Sequence, residues 1–271
     1  MTDQATVPCL VGAPNYLWLE TTDVPGAIKF YTELFGWVWN AEAQEFYLDG
    51  KSVGSCGEVR EGEQPAWHIA LRTDDAAATA AAVVAAGGTV VSGPEAIEGM
   101  GERVSVIDAT GARVEFWDPK GVAGLGVMHE AYTPTWFELL AQDFTAASAF
   151  YQKAAGWQGP IEGMEGLLLN DAYEKSTAMI IDLKAEGAYG GGTGLFAQDF
   201  AATGNSAWMV SFHSDAAADG ADQYARLIAK AKELGGTVPH PPADDSDADL
   251  CVTIVDPFGA AFNVIGATVA E

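Results

Sequence analysis

The sequence predicts an α+β protein of two tandem domains, each built from two strand-and-helix modules. Three observations carry that expectation. "PNYLWLETTDVPGAIKFYTELFGW", starting at Pro14, aligns without a gap on "PTWFELLAQDFTAASAFYQKAAGW", starting at Pro134. Two later segments of helical character each end in the same "GGTV", at Gly87 and at Gly235. Finally, "VIDATGARVEFW" and "IVDPFGAAFNVI" both read as strand, tight turn at Gly111 or Gly259, and strand.

Along the chain, each element has its own signal. The first strand alternates Tyr16, Trp18 and Glu20 with Leu17 and Leu19, the period of a half-buried strand. In the next segment Ala27, Phe30, Tyr31 and Leu34 fall at i, i+3, i+4 and i+7, as do Ala147, Phe150, Tyr151 and Ala154. Each set makes one apolar helical stripe, so the Phe-Tyr pairs read as core rather than chemistry. Gly36 and Gly156 suit left-handed helix caps, and Trp37 and Trp157 open the strands that follow. "WHIALRTDD" and "WMVSFHSDA" are short alternating strands, the first leading into an Ala-rich helix and the second into one carrying Tyr224, Leu227, Ile228 and Ala231. The expected layout is a first domain over 10–118, a linker over 119–133 and a second domain over 134–268. The Gly-rich "GAYGGGTGLFAQDFAATGN" is an extra connection in the second half.

With 49% apolar residues in 271, the chain can bury sizeable cores. A formal charge of −25, from 38 acidic and 13 basic residues, excludes nucleic acid and anionic membrane surfaces as partners, since both would be repelled. No apolar run approaches the roughly 18 residues of a bilayer span, and "MTDQATVPCL" lacks the features of a signal peptide. A cytoplasmic location is expected. Cys9, Cys56 and Cys251 lack C-x-x-C spacing and read as reduced thiols. "DDSDAD", Asp244 to Asp249, lacks the central Gly and final Glu of a calcium loop and reads as a solvated acidic turn. "HEAYT" lacks the second His of a zinc motif, and His129 and His240 fall in loops.

The strand ending in Asp, the "FY" helix, the "GW" after it and the late D-x-x-G turn together resemble the vicinal oxygen chelate superfamily over nearly the whole chain. That family includes glyoxalase I, bleomycin-resistance proteins and extradiol dioxygenases. The resemblance implies four βαβββ modules whose curved sheets form two cups. Tandem relatives are often labelled hydroxylases or glyoxalase-like proteins, and some resemble accessory proteins of aromatic polyketide pathways.

Alternation assigns the faces. Leu17, Leu19, Ile69, Leu71, Phe137, Leu139, Val210 and Phe212 should meet the helices. The other face, the cup, then carries Tyr16, Trp18, Glu20, His68, Ala70, Arg72, Arg113, Glu115 and Trp117 in the first domain. In the second it carries Trp136, Glu138, Leu140, Met209, Ser211, His213, Ala261, Asn263 and Ile265. The family's metal positions map onto Tyr16, His68 and Glu115, and onto Trp136, Met209 and Asn263. The second set cannot bind metal, and the first offers a phenol as its third ligand.

The expected function is therefore binding of a small, planar or aromatic ligand in the first cup, with the second cup a scaffold. Trp18, Glu20, Arg72, Arg113 and Trp117 would line the site, and His68, Glu115 and Tyr16 would carry any chemistry. One route has Glu115 orienting His68 as a proton carrier. The bland reading pairs His68 with Glu115 or Tyr16, and Glu115 with Arg72 or Arg113. No cofactor is required. The alternative is a divalent metal on His68 and Glu115, serving a lyase, isomerase or dioxygenase, and a third reading is a ligand-sequestering resistance protein. The protein is expected to be a monomer or homodimer.

Overall fold

The computed structural model describes residues 9–120, 124–158, 167–170, 178–182, 206–214, 220–239 and 251–265. The acidic stretch Asp244 to Asp249, the Gly-rich connection and His240 lie outside them.

The first domain runs β1 (Pro14–Thr21), α1 (Val24–Phe35), β2 (Val38–Asn40), β3 (Glu45–Leu48), β4 (Lys51–Glu58), β5 (Ala66–Arg72), α2 (Ala76–Ala85), β6 (Thr89–Ile97), β7 (Gly101–Ile107) and β8 (Arg113–Pro119). These strands form one sheet in the order β2-β3-β4-β1-β5-β8-β7-β6. The two modules therefore join side by side through the antiparallel pairing of their first strands, β1 and β5. The second domain repeats the scheme with β9 (Pro134–Ala141), α3 (Phe144–Ala155), β10 (Leu167–Asn170), β11 (Ala178–Asp182), β12 (Ala207–His213), α4 (Gly220–Glu233), β13 (Cys251–Val255) and β14 (Ala261–Ile265). Its described strands are ordered β10-β11-β9-β12-β14-β13, joined through β9 and β12.

The repeated helices are capped alike. Asp23 Oδ1 accepts from the Gly26 N–H at 3.0 Å and Asp143 Oδ1 from that of Ala146 at 3.0 Å, satisfying donors that the helix itself leaves open. Gly36 (φ 73°) and Gly156 (φ 71°) close them in the left-handed region. The faces fall as the alternation predicts: Leu17, Leu19, Ile69, Leu71, Phe137, Leu139, Val210 and Phe212 all join one core with the helices.

That core is shared by both domains. Helix α1 packs on α4, α2 packs on α3, and β5 and β8 approach β12. Sequence motifs meet across the seam in reciprocal pairs. The Tyr31 hydroxyl donates to Asp256 Oδ2 at 3.0 Å and accepts from the Trp67 indole at 3.0 Å. In the mirror arrangement, Tyr151 donates to Asp108 Oδ2 at 2.9 Å and accepts from Trp208 at 2.9 Å. Each aspartate spends its other oxygen inside its own D-x-x-G turn: Asp108 Oδ1 accepts from Thr110 and Ala112, and Asp256 Oδ1 from Phe258, Gly259 and Ala260.

The remaining motifs follow the same rule. The Trp37 indole donates to the Tyr132 carbonyl at 2.9 Å and Trp157 to that of Gly12 at 2.8 Å. The "GGTV" glycines make room for the other domain's phenylalanines: a Cβ on Gly88 would lie 2.6 Å from Phe150 Cε2, and one on Gly236 3.3 Å from Phe30 Cε2. The repeat thus encodes a domain interface, and the two cup faces turn away from it. Residues 124–133 are packed chain, with Leu125, Val127 and Met128 buried and the Leu125 N–H bonded to the Asn15 carbonyl at 2.7 Å.

Candidate functional site

Strand register assembles the first cup. Trp18 lies opposite His68, Tyr16 opposite Ala70, Ala70 opposite Glu115, and Glu115 opposite Ser105. Tyr16, Trp18, Glu20, His68, Glu115 and Trp117 are all buried, and Glu115 is fully so.

Arg113 organises the polar half of this face. Its Nη1 and Nη2 donate to Glu20 Oε2 and Oε1, both at 3.0 Å. Nη2 and Nε donate to Glu115 Oε1 at 3.1 and 3.3 Å, and Nη1 also donates to Glu63. A guanidinium has five N–H groups, and all five are engaged. The bidentate pairing with Glu20 is the strong form of such a contact. His68 Nε2 sits 3.4 Å from Glu20 Oε2 and 3.5 Å from Arg113 Nη1.

The electrostatics follow from this packing. Burial alone would raise Glu20, but hydrogen bonds from His68 and Arg113, together with the Arg113 charge, hold it at about 2. Burial, aided by the Arg113 charge, lowers His68 against the opposing pull of Glu20. Burial raises Glu115 in spite of Arg113 and Ser105.

The structure regroups the residues expected from sequence. Glu115 neither orients nor touches His68: its Oε1 accepts from Ser105 Oγ at 2.8 Å and from Arg113, while Glu20 takes the place beside the imidazole. Tyr16 is a partner of neither, because its hydroxyl donates to Glu45 Oε1 at 2.6 Å, and burial with the nearby Glu45 charge raises it well above the usual phenol range. Arg72 leaves the group altogether. At the end of β5 it donates to the Cys9 carbonyl and, at 2.7 Å, to Asp74 Oδ1. Trp18 lies under the Arg103 guanidinium, 5.3 Å from its ring centroid, and Trp117 stacks on Tyr16 with centroids 6.0 Å apart.

Sequence reading missed Glu45, Glu63, Arg103 and Ser105. Ser105 and Arg103 could have been found by extending the β8 alternation across the hairpin. Glu45 depends on pairing of β3 with β4 that contains an irregularity between Phe46 and Tyr47.

Two polar atoms on this face have no partner among the described residues. Glu115 Oε2 and Trp117 Nε1 are both buried and unsatisfied, two residues apart on β8. They bring an acceptor and a donor to the aromatic wall of Tyr16, Trp18 and Trp117, with Ile97 and Met100 packed against it.

A divalent ion does not fit this arrangement. Tyr16, His68 and Glu115 point to three different partners, and the space between Glu20, Glu115 and His68 holds the guanidinium of Arg113, whose fixed positive charge opposes a second cation. Among the described residues, no group of three or more His, Cys, Asp or Glu is placed to hold an ion. In the second cup, Trp136, Met209 and Asn263 provide an indole, a thioether and an amide.

A glyoxalase-like domain profile matches residues 16–121. Over 94% of both chains, the protein is 31% identical to the "Putative glyoxylase CFP32" of Mycobacterium tuberculosis. It is 28% identical to the anthracycline biosynthesis protein DnrV of Streptomyces peucetius, over 94% of this chain and 93% of that one. Among solved structures, the Mn(II)-bound glyoxalase from Novosphingobium aromaticivorans matches 95% of this chain and 83% of its own, with a TM-score of 0.60 and 16% identity. The 2,3-dioxygenase LapB from Pseudomonas sp. KL28 matches 97% and 94%, with a TM-score of 0.57 and 14% identity. At such identities these structures share the fold.

Proposed function

The chain belongs to the vicinal oxygen chelate superfamily, and from its first cup we propose that it binds a planar, aromatic small molecule there without a metal ion. The observation that carries this reading is the pair of unsatisfied buried groups, Glu115 Oε2 and Trp117 Nε1, beside the wall of Tyr16, Trp18 and Trp117. Buried polar atoms are costly to leave without partners, and a flat ligand with a carbonyl for the indole N–H and a hydroxyl for the carboxyl would satisfy both while stacking on the rings. The likeness to an anthracycline biosynthesis protein supports a polycyclic aromatic ligand and an accessory role of the hydroxylase-related kind.

Arg113 supports the metal-independent part, because it already occupies the space between Glu20 and Glu115, engages Glu20 Oε1 and Oε2 and Glu115 Oε1, and has no N–H to spare. In this reading His68 is the group able to exchange a proton with a bound hydroxyl, positioned by Glu20. The test is titration with a hydroxynaphthoquinone such as juglone, followed by the indole N–H resonance of Trp117. Saturable movement that is lost in Glu115→Gln is expected. An unmoved Trp117 resonance, or binding that requires added manganese or iron, overturns the reading.

A further inference from the structure

We propose that the cup of the second domain is a separate ligand site, which takes a small neutral molecule carrying a carbonyl or amide oxygen beside a hydroxyl or N–H group. The two cups have equivalent frameworks and opposite fillings. Aligning Asp108 with Asp256 and Gly111 with Gly259 places Arg113 over Ala261, Glu115 over Asn263 and Trp117 over Ile265. The arginine that pairs with the first cup's carboxylates is therefore an alanine in the second, and an indole is replaced by a smaller aliphatic chain.

What remains includes polar atoms without partners among the described residues. Ser211 Oγ and Asn263 Nδ2 are unsatisfied among the described residues, although Ser211 is fully buried and Asn263 is 1% exposed. They are neighbours, since Ser211 pairs with Asn263 in the β12–β14 register. The Asn263 Oδ1 is already occupied, accepting from Thr253 Oγ1 at 2.8 Å. Its N–H groups are thereby left as donors, next to a hydroxyl.

On the adjoining strand, Trp136 lies opposite Ser211 and Glu138 opposite Met209. The Trp136 indole donates to Glu138 Oε1 at 3.1 Å. Both residues are only half-buried, whereas their counterparts Tyr16 and Trp18 are closed in. Desolvation pushes Glu138 up to about 7, so that it can accept or donate a proton in a hydrogen bond near neutral pH. An acceptor oxygen on the ligand suits Ser211 and Asn263, and a neighbouring hydroxyl or N–H suits Glu138. Strong anions are disfavoured by the carboxyl.

The indole of Trp136 reports this site, as that of Trp117 reports the first cup. Full-length protein carrying 15N-labelled tryptophan, with both resonances assigned through Trp136→Phe and Trp117→Phe, should be titrated with salicylamide, 2-hydroxyacetophenone and N-methylbenzamide. At least one compound is expected to move the Trp136 resonance saturably and leave Trp117 in place. Ser211→Ala and Asn263→Ala should each weaken that binding about tenfold, and Ser211→Ala should unfold at no lower temperature than the wild type, since it removes a buried hydroxyl that has no partner among the described residues. The proposal is overturned if none of the three moves Trp136, which would leave those polar atoms to ordered water alone, or if Ser211→Ala binds as tightly as the wild type. Movement of Trp117 by juglone with a silent Trp136 would retain the first-cup reading and reject this one, and the converse would do the reverse.

Discussion

The Tyr31 hydroxyl donates to the Asp256 carboxylate at 3.0 Å although the two residues are 225 positions apart in sequence. Tyr151 and Asp108 repeat the contact on the other side of the molecule. Both aspartates are raised from the ordinary carboxylate range by burial, against the hydrogen bonds they accept. Tyr31→Phe and Tyr151→Phe should each cost about 1–3 kcal/mol, because each leaves a buried carboxylate and an indole N–H short of a partner. Urea unfolding should show similar losses for both, with juglone binding retained. A loss confined to one variant would reject the reciprocal seam.

Gly88→Ala should be destabilising. The new methyl would lie 2.6 Å from Phe150 Cε2 and 2.8 Å from the Ile107 carbonyl, so the ring from the other domain and the adjoining β7 backbone must give way. Overpacking of this sort costs about 1–3 kcal/mol. Gly36→Ala, where nothing stands near the added carbon, should lose stability only through its left-handed backbone. Thermal unfolding of the pair separates clash from backbone strain.

Arg113→Met should cost about 3–5 kcal/mol, since it leaves Glu20 and Glu115 buried without their cation. In the wild type Glu20 is depressed from 4.5 to about 2. Its contribution is present above the unfolded value and is lost as pH falls from 4.5 toward 2. Acid unfolding curves should show that loss in the wild type and a smaller one in Arg113→Met.

Glu138 behaves in the opposite sense. Its carboxyl is raised from 4.5 to about 7, so over that interval the folded chain holds a proton that the unfolded chain releases. Stability from this group therefore falls as pH rises from 4.5 to 7. Glu138→Gln should flatten this slope and raise the unfolding temperature above pH 7. An unchanged slope would mean that the carboxyl is solvated.

Trp18→Phe should weaken juglone binding about tenfold, or ~1.4 kcal/mol, by shrinking the aromatic wall beneath Arg103. Phe150→Leu, in the fully buried core on the far side of the sheet, should lower the unfolding temperature and leave affinity unchanged. Lost binding with unchanged stability in Phe150→Leu would place the site on the wrong face.

The sequence by itself determined the modules and their faces. Periodicity is a local property, so Ala27, Phe30, Tyr31 and Leu34 declare a helix stripe, and Tyr16, Trp18 and Glu20 declare one side of a strand, before any tertiary contact is known. It also showed that Phe-Tyr, Gly-Trp, GGTV and D-x-x-G recur, without showing that they meet. Only the tertiary structure decided that these motifs interlock across the domain seam, that Glu20 rather than Glu115 stands beside His68, and that Arg113 is saturated while Asn263 Nδ2 has no partner among the described residues. The physical reason is that a partner is chosen by strand register, sheet order and domain docking. Arg113 reaches Glu20 across 93 residues of chain, and no local pattern carries that distance.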